Sequence, residues 1–219
     1  MPTLLLPGTL CDAALWADVA LPPGAHVWAP VRGHTLAEAA WQAASAQSGP
    51  LHVVGFSLGA IVAFELLRRW PERVQRLTLI SANPLAPTAK QLVAWADQEA
   101  AVSAGPDGFE AVAQQVAAGV GPHSERVLAM ARRVGPKIFL EQLALLRSRP
   151  DSRPVFQTHR GPLTLLVGAA DTVTPPALSE TVKALAPQAD LRVVPGAGHY
   201  LPLDAPGTVS ALLGTWAHA

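Results

Sequence analysis

A run of buried-type residues, Leu51-His52-Val53-Val54, leads straight into Gly55-Phe56-Ser57-Leu58-Gly59. A helical pattern, Ile61-Val62-Ala63-Phe64-Glu65-Leu66-Leu67, follows at once. Turning from strand to helix in so few residues forces the central one into a strained backbone conformation. Glycines two before and two after it keep the converging strand and helix free of colliding side chains. The serine hydroxyl is thereby held clear of the sheet, and the N–H of Leu58 opens the helix beneath it. Gly-x-Ser-x-Gly alone is a weak string; between a strand and a helix it marks Ser57 as a nucleophile.

The rest of the chain alternates around that turn. Short apolar runs over 3–6, 26–29, 74–80, 163–168 and 191–194 read as further strands, most of them closed by proline or glycine. Helical patterns fall over 13–19, with Trp16 on the packed face, and then from 36, over 177–185 and from 207 to Trp216. Thr35 with Glu38 reads as a capping box. This alternation predicts an α/β fold, a mostly parallel sheet of about six strands flanked by helices. Between 84 and 160 no strand-like run occurs; apolar residues recur at three and four, broken at Gly105-Pro106, Gly121-Pro122 and Gly135-Pro136. The expected organisation is a core of 1–83 and 161–219, with an all-helical cap, 84–160, inserted in it.

Ile138, Phe139, Gln142, Leu143 and Leu146 share one helix face of that insertion. Either the face packs on the core, or it roofs a cleft above Ser57 with Leu10, Leu58, Val173 and Tyr200. On the second reading the pocket is lined by Leu10, Phe139, Leu143, Leu146, Val173 and Tyr200.

Composition removes several functions. Lysine plus arginine equals aspartate plus glutamate at 16 each, so the charge footprint of a nucleic-acid binder is missing. No apolar run approaches the ~20 residues of a membrane span, and the N-terminus lacks a signal-peptide pattern. The single cysteine, Cys11, excludes an internal disulfide framework and fits a reducing, cytoplasmic setting. Histidines show no metal-ligand spacing and no phosphate-cradling glycine motif occurs, so neither metal nor cofactor is expected.

A serine nucleophile needs a base within reach and a carboxylate to orient that base. In a parallel sheet these sit on loops at the strands' C-terminal ends, and three such loops carry Ser57, Asp171 and His199 in that order. Asp204 and Asp151 are the rival carboxylates; both sit where a helix or turn cap is expected.

Pro7-Gly8-Thr9, Gly55-Phe56-Ser57-Leu58-Gly59, Pro71-Glu72-Arg73-Val74, Gly168-Ala169-Ala170-Asp171 and Gly196-Ala197-Gly198-His199 together resemble the α/β-hydrolase superfamily. Within it the chain is most similar to small bacterial capped carboxylesterases, including the type that cleaves methyl esters of pimeloyl groups on acyl carrier protein. The resemblance implies Ser57 as nucleophile, His199 as general base, Asp171 as orienting acid, and an oxyanion hole from the backbone N–H groups of Thr9 and Leu58. It also implies a small-molecule ester substrate, free or carrier-protein-linked, cleaved through an acyl-enzyme. A thioesterase, or a non-hydrolytic lyase of the hydroxynitrile type with Lys137 near the pocket, uses the same three residues. The chain departs from the usual pattern in carrying Pro7-Gly8 where His-Gly is common.

Overall fold

The computed structural model describes residues 1–215. Six strands, β1 (Thr3–Leu6), β2 (His26–Val27), β3 (Leu51–Phe56), β4 (Val74–Ile80), β5 (Leu163–Gly168) and β6 (Asp190–Val194), form one sheet in the order β2-β1-β3-β4-β5-β6. Every pairing is parallel. The helices are α1 (Leu36–Ser45), α2 (Leu58–Arg69), α3 (Ala89–Ser103), α4 (Pro106–Ala118), α5 (Ser124–Ser148), α6 (Arg153–Thr158), α7 (Pro176–Leu185), α8 (Leu201–Asp204) and α9 (Pro206–Gly214).

Strand side chains alternate between faces, and the core divides accordingly. Leu4, Leu6, Val53, Leu77 and Leu165 pack with α1, α2 and α7. Leu5, Val54, Phe56, Ile80 and Leu166 pack on the other face with Leu15, Trp16, α8 and α9. Because both faces are covered, the central strands read as continuous apolar runs.

Three local expectations need correction. The stretch over 13–19 is not a helix but one 3-10 turn, Ala13–Trp16. Asp12 accepts the Ala14 N–H, and a segment this short before Pro22-Pro23 cannot repay helix nucleation; Trp16 is nevertheless buried. The strand over 26–29 pairs only at His26–Val27. Trp28 still donates to the Leu5 carbonyl (3.0 Å), but Pro30 has no N–H to continue the ladder. The capping box is half formed: Thr35 accepts the Glu38 N–H, while the Glu38 carboxylate turns to the N–H of His34. The expected end of the last helix, Trp216, lies outside the described residues; α9 is described to Gly214.

Residues 84–160 carry α3 to α6 and, as described, no strand. Within α5, Gly135 (φ 77°, ψ 168°) and Pro136 interrupt the helix. This helical segment is fastened to core loops by polar contacts. Arg133 pairs with Asp12 (2.6 Å), Arg126 pairs with Asp18 and donates to the Ala14 carbonyl (2.8 Å), and Glu141 accepts the Gly33 N–H (3.2 Å).

His52 shows what the doubly covered sheet does to a titratable group. It lies buried in β3 with Nε2 2.9 Å from Thr78 Oγ1 on β4. Burial, with Arg76 nearby, pushes its pKa down to about 4 from 6.5. The folded state therefore binds fewer protons than the unfolded chain between those values, so stability falls as pH drops through that window. The expected loss is on the order of 3 kcal/mol. His52→Gln keeps a donor for Thr78 without the titration, and urea denaturation from pH 7 to 4 is expected to show a shallower decline for that variant.

Candidate active site

Ser57 sits between β3 and α2 with φ 52° and ψ −112°, a conformation that costs on the order of 1–3 kcal/mol outside glycine. Its neighbours explain why it is tolerated. A Cβ on Gly55 would lie 2.6 Å from Ala60 Cα, and one on Gly59 would lie 2.0 Å from the Leu6 carbonyl oxygen. The Ser57 N–H donates to the Ile80 carbonyl at 3.0 Å, so the turn is also tied to β4.

The loops after β5 and β6 bring two further side chains to the hydroxyl. His199 Nε2 lies 3.2 Å from Ser57 Oγ, and His199 Nδ1 lies 2.9 Å from Asp171 Oδ2. Asp171 is buried, yet its carboxylate is well supplied with donors. Oδ1 accepts the N–H groups of Val173 (2.9 Å) and Thr174 (2.8 Å), and Oδ2 accepts the Thr174 hydroxyl (2.8 Å). Burial pushes the Asp171 pKa up, but hydrogen bonds and charge from His199 together with the Thr174 bonds outweigh it, leaving the carboxyl below its ordinary value. An ionised carboxylate on one ring nitrogen leaves the other able to take a proton from Ser57.

The histidine is also held by its backbone. Ser81, at the end of β4 with φ 50°, donates its hydroxyl to the His199 carbonyl at 2.9 Å. Phe56 lies 5.2 Å and Tyr200 5.6 Å from the imidazole, centre to centre. The rival carboxylates are engaged elsewhere. Asp204 accepts the Gly198 N–H (2.8 Å) and pairs with His123 (3.1 Å), and it does not cap α9. Asp151 accepts the Arg153 N–H at 2.9 Å, in the manner of a cap.

The loop after β1 supplies Thr9 and Leu10 beside the hydroxyl. Leu10 has φ 57°, and its N–H is taken by Gln142 Oε1 (2.9 Å), whose amide nitrogen donates in turn to the Val31 carbonyl (2.8 Å). A fully buried side chain of α5 thus sets the conformation of this loop. The Leu58 side chain is buried in the core. Cys11 donates to the Thr9 carbonyl (3.3 Å), and burial, with Asp12 adding to it, pushes its pKa up to about 12. It stays a thiol at neutral pH, which argues against redox chemistry there.

A cavity of about 410 Å³ opens over Ser57 and His199. Leu10, Phe139, Leu143, Leu146, Val173 and Tyr200 all line it, as does Thr9. Ile138, Gln142 and Leu58 do not; Gln142 is occupied by its two backbone partners. The sequence reading missed a polar end made by Asn83, Gln91, Gln98 and Arg149, with Trp95 beside them. Arg149 donates to the Leu85 carbonyl (2.9 Å) and to Gln91 Oε1 (3.1 Å) and lies over the Trp95 ring at 5.3 Å. Burial pushes its pKa down to about 10. In sequence it is simply one more basic residue near a helix end, so only tertiary placement reveals it. Among the described residues no cluster of histidine, cysteine or carboxylate is arranged to hold a metal.

A parallel sheet with this elbow on β3, and partner side chains on loops after β5 and β6, is the architecture of an α/β-hydrolase. The chain belongs to that family: the alpha/beta hydrolase fold matches residues 36–206. Solved structures agree over the whole chain. A thermophilic esterase from Thermogutta terrifontis is 20% identical with a TM-score of 0.84, covering 100% of this chain and 89% of its own. A hydrolase from Pseudomonas aeruginosa PA01 is 21% identical with a TM-score of 0.79, covering 100% and 90%. An esterase from Rhodococcus sp. ECU1013 is 17% identical with a TM-score of 0.75, covering 100% and 90%. At these identities the likeness establishes the fold. No curated protein matches the sequence significantly. No described helix is long and apolar enough to cross a membrane.

The Gln142 link can be tested directly. Gln142→Leu leaves the buried Leu10 N–H and Val31 carbonyl without their partner, at an expected cost of about 1–3 kcal/mol each. Denaturant melts are expected to show that loss. Activity, once a substrate is in hand, is expected to fall by more than the unfolded fraction accounts for, because the loop carrying Thr9 is released.

Proposed function

We propose that the protein is a serine hydrolase of carboxylic esters with a small or medium acyl group. The observation that carries this reading is the chain of contacts from Asp171 through His199 to Ser57 in the lining of a mainly apolar cavity. Ser57 Oγ attacks the ester carbonyl as His199 Nε2 takes its proton. Negative charge develops on the carbonyl oxygen, and the N–H groups of Thr9 and Leu58 are its proposed donors. His199 then passes its proton to the leaving alcohol, and an acyl-enzyme remains on Ser57. Water, deprotonated by the same imidazole, releases the acid and restores the serine. Asp171 stays ionised throughout and stabilises the imidazolium.

Residues 84–160 act as a cap on this reading. Phe139, Leu143 and Leu146 wall the cavity with apolar surface that excludes water and suits an uncharged stretch of acyl chain. The esterases among the structural neighbours favour ester chemistry. A thioester, or an acyl group carried on a protein, reacts by the same steps. The lyase alternative asks for a lysine at the pocket, and none of the described lining residues is one; Lys137 is exposed. The buried thiol of Cys11 is consistent with the cytoplasmic setting we assign.

A panel of p-nitrophenyl esters of rising acyl length, with labelling by a serine-directed phosphonate, tests the proposal. Ser57→Ala is expected to fold, to escape labelling and to lose activity by about 10⁵–10⁶. Asp171→Asn is expected to lower kcat by about 10³–10⁴, and Asp204→Asn far less. Activity of Ser57→Ala within tenfold of wild type would sink the assignment, and a crippling Asp204→Asn would move the acid role to that residue.

A further inference from the structure

Among the described residues the charge on Arg149 has no counterpart. The residue is only 6% exposed, and the pairings of the described residues include no carboxylate partner for it. A guanidinium carries five N–H donors in a fixed fork. The Leu85 carbonyl and Gln91 take two, and Trp95 covers one face. These contacts orient the group and satisfy part of it, but neutral acceptors do not offset a buried positive charge. The side chain also faces the cavity that holds Ser57. Asp204, the cavity's carboxylate, is already held by Gly198 and His123.

Arg149 is displaced along α5 from the point where that helix meets the Thr9–Leu10 loop. Gln142 touches the loop of Thr9 and Leu10, and Arg149 follows seven residues later as the residue that caps the C-terminus of α5. Seven residues at the helical rise amount to about 10 Å. Leu143 and Leu146 line the cavity in between. The cavity thus runs from the Ser57 hydroxyl, past an apolar wall, to a desolvated cation.

We infer that Arg149 is a specificity residue that receives a carboxylate at the far end of the substrate, so that the preferred ester is anionic, with an aliphatic stretch between its ester and its free acid group. Arginine suits this because its fork binds a carboxylate through two parallel hydrogen bonds. The inference deepens the esterase reading and rests on it for the reaction, while the anion site itself stands on Arg149 alone.

The test compares monomethyl esters of dicarboxylic acids, from succinate to suberate, with methyl alkanoates of equal chain length. The wild type is expected to favour the charged ester over its neutral match at least tenfold in kcat/KM among the longer members, and to show no such preference among the shortest. Arg149→Gln is expected to bring that ratio down to about one. Because a buried arginine is being removed, Gln91→Glu serves as a second variant. It keeps the acceptors for Arg149 and for the Thr88 N–H but supplies the missing negative charge, and it is expected to abolish the preference in a protein that melts cooperatively. Calorimetry with suberate against octanamide reads the site without any turnover, and suberate is expected to bind at least tenfold more tightly to the wild type than to Gln91→Glu. Hydrolysis of neutral esters with no charge preference, and equal binding of suberate and octanamide, overturns the anion site and leaves the esterase reading intact. Suberate binding that Gln91→Glu removes, with no ester hydrolysed, keeps the site and overturns the esterase reading.

Discussion

Everything at the catalytic end depends on how closely α2 can back onto the sheet. With Gly59 against the Leu6 carbonyl and Gly55 against Ala60, neither position leaves room for a side chain where the helix starts. That contact forces the turn at Ser57 into a conformation a serine would not adopt alone. The strain is held by the surrounding packing: Leu58, Ala60, Ile61 and Val62 are all buried immediately after it. A hydroxyl on a flexible loop would sample many positions, whereas this one is as fixed as the sheet it stands on.

The remaining parts of the site are placed by the same logic from other strands. Parallel strands deliver all their following loops to one edge, so residues distant in sequence arrive together. Each incoming residue is then secured by a partner: the Asp171 carboxylate by Thr174 and two backbone N–H groups, the His199 carbonyl by the Ser81 hydroxyl, the Leu10 N–H by Gln142. These supports are short polar contacts, most of them buried, where losing one partner strands the other.

Much of this was legible in the sequence because it rests on local rules. Strand-turn-helix chemistry marked Ser57, and the β/α alternation marked the loops holding Asp171 and His199. The helical character of 84–160 showed in its three-and-four periodicity and in its glycine-proline breaks. What stayed hidden depends on distant partners. A turn over 13–19 looks like a helix until Asp12 and Arg133 are seen to hold it. Gln142 shares a face with Leu143, so its pattern suggested the pocket, while its amide reaches instead to Leu10 and Val31. Ser81 and Thr174 are ordinary loop residues until the folded sheet sets the histidine between them.

The Gln142 amide also bears on how such a chain can be rebuilt. Insertions on this kind of scaffold look like exchangeable parts, joined to the core at two neighbouring strands and free to vary in between. Here one buried side chain of the helical segment 84–160 completes the backbone hydrogen bonding of the loops after β1 and β2. A transplanted insertion that lacks an amide at that point would bring a new roof and deprive the floor of its support. The two parts are separable on a topology diagram, but as machinery they must be inherited together.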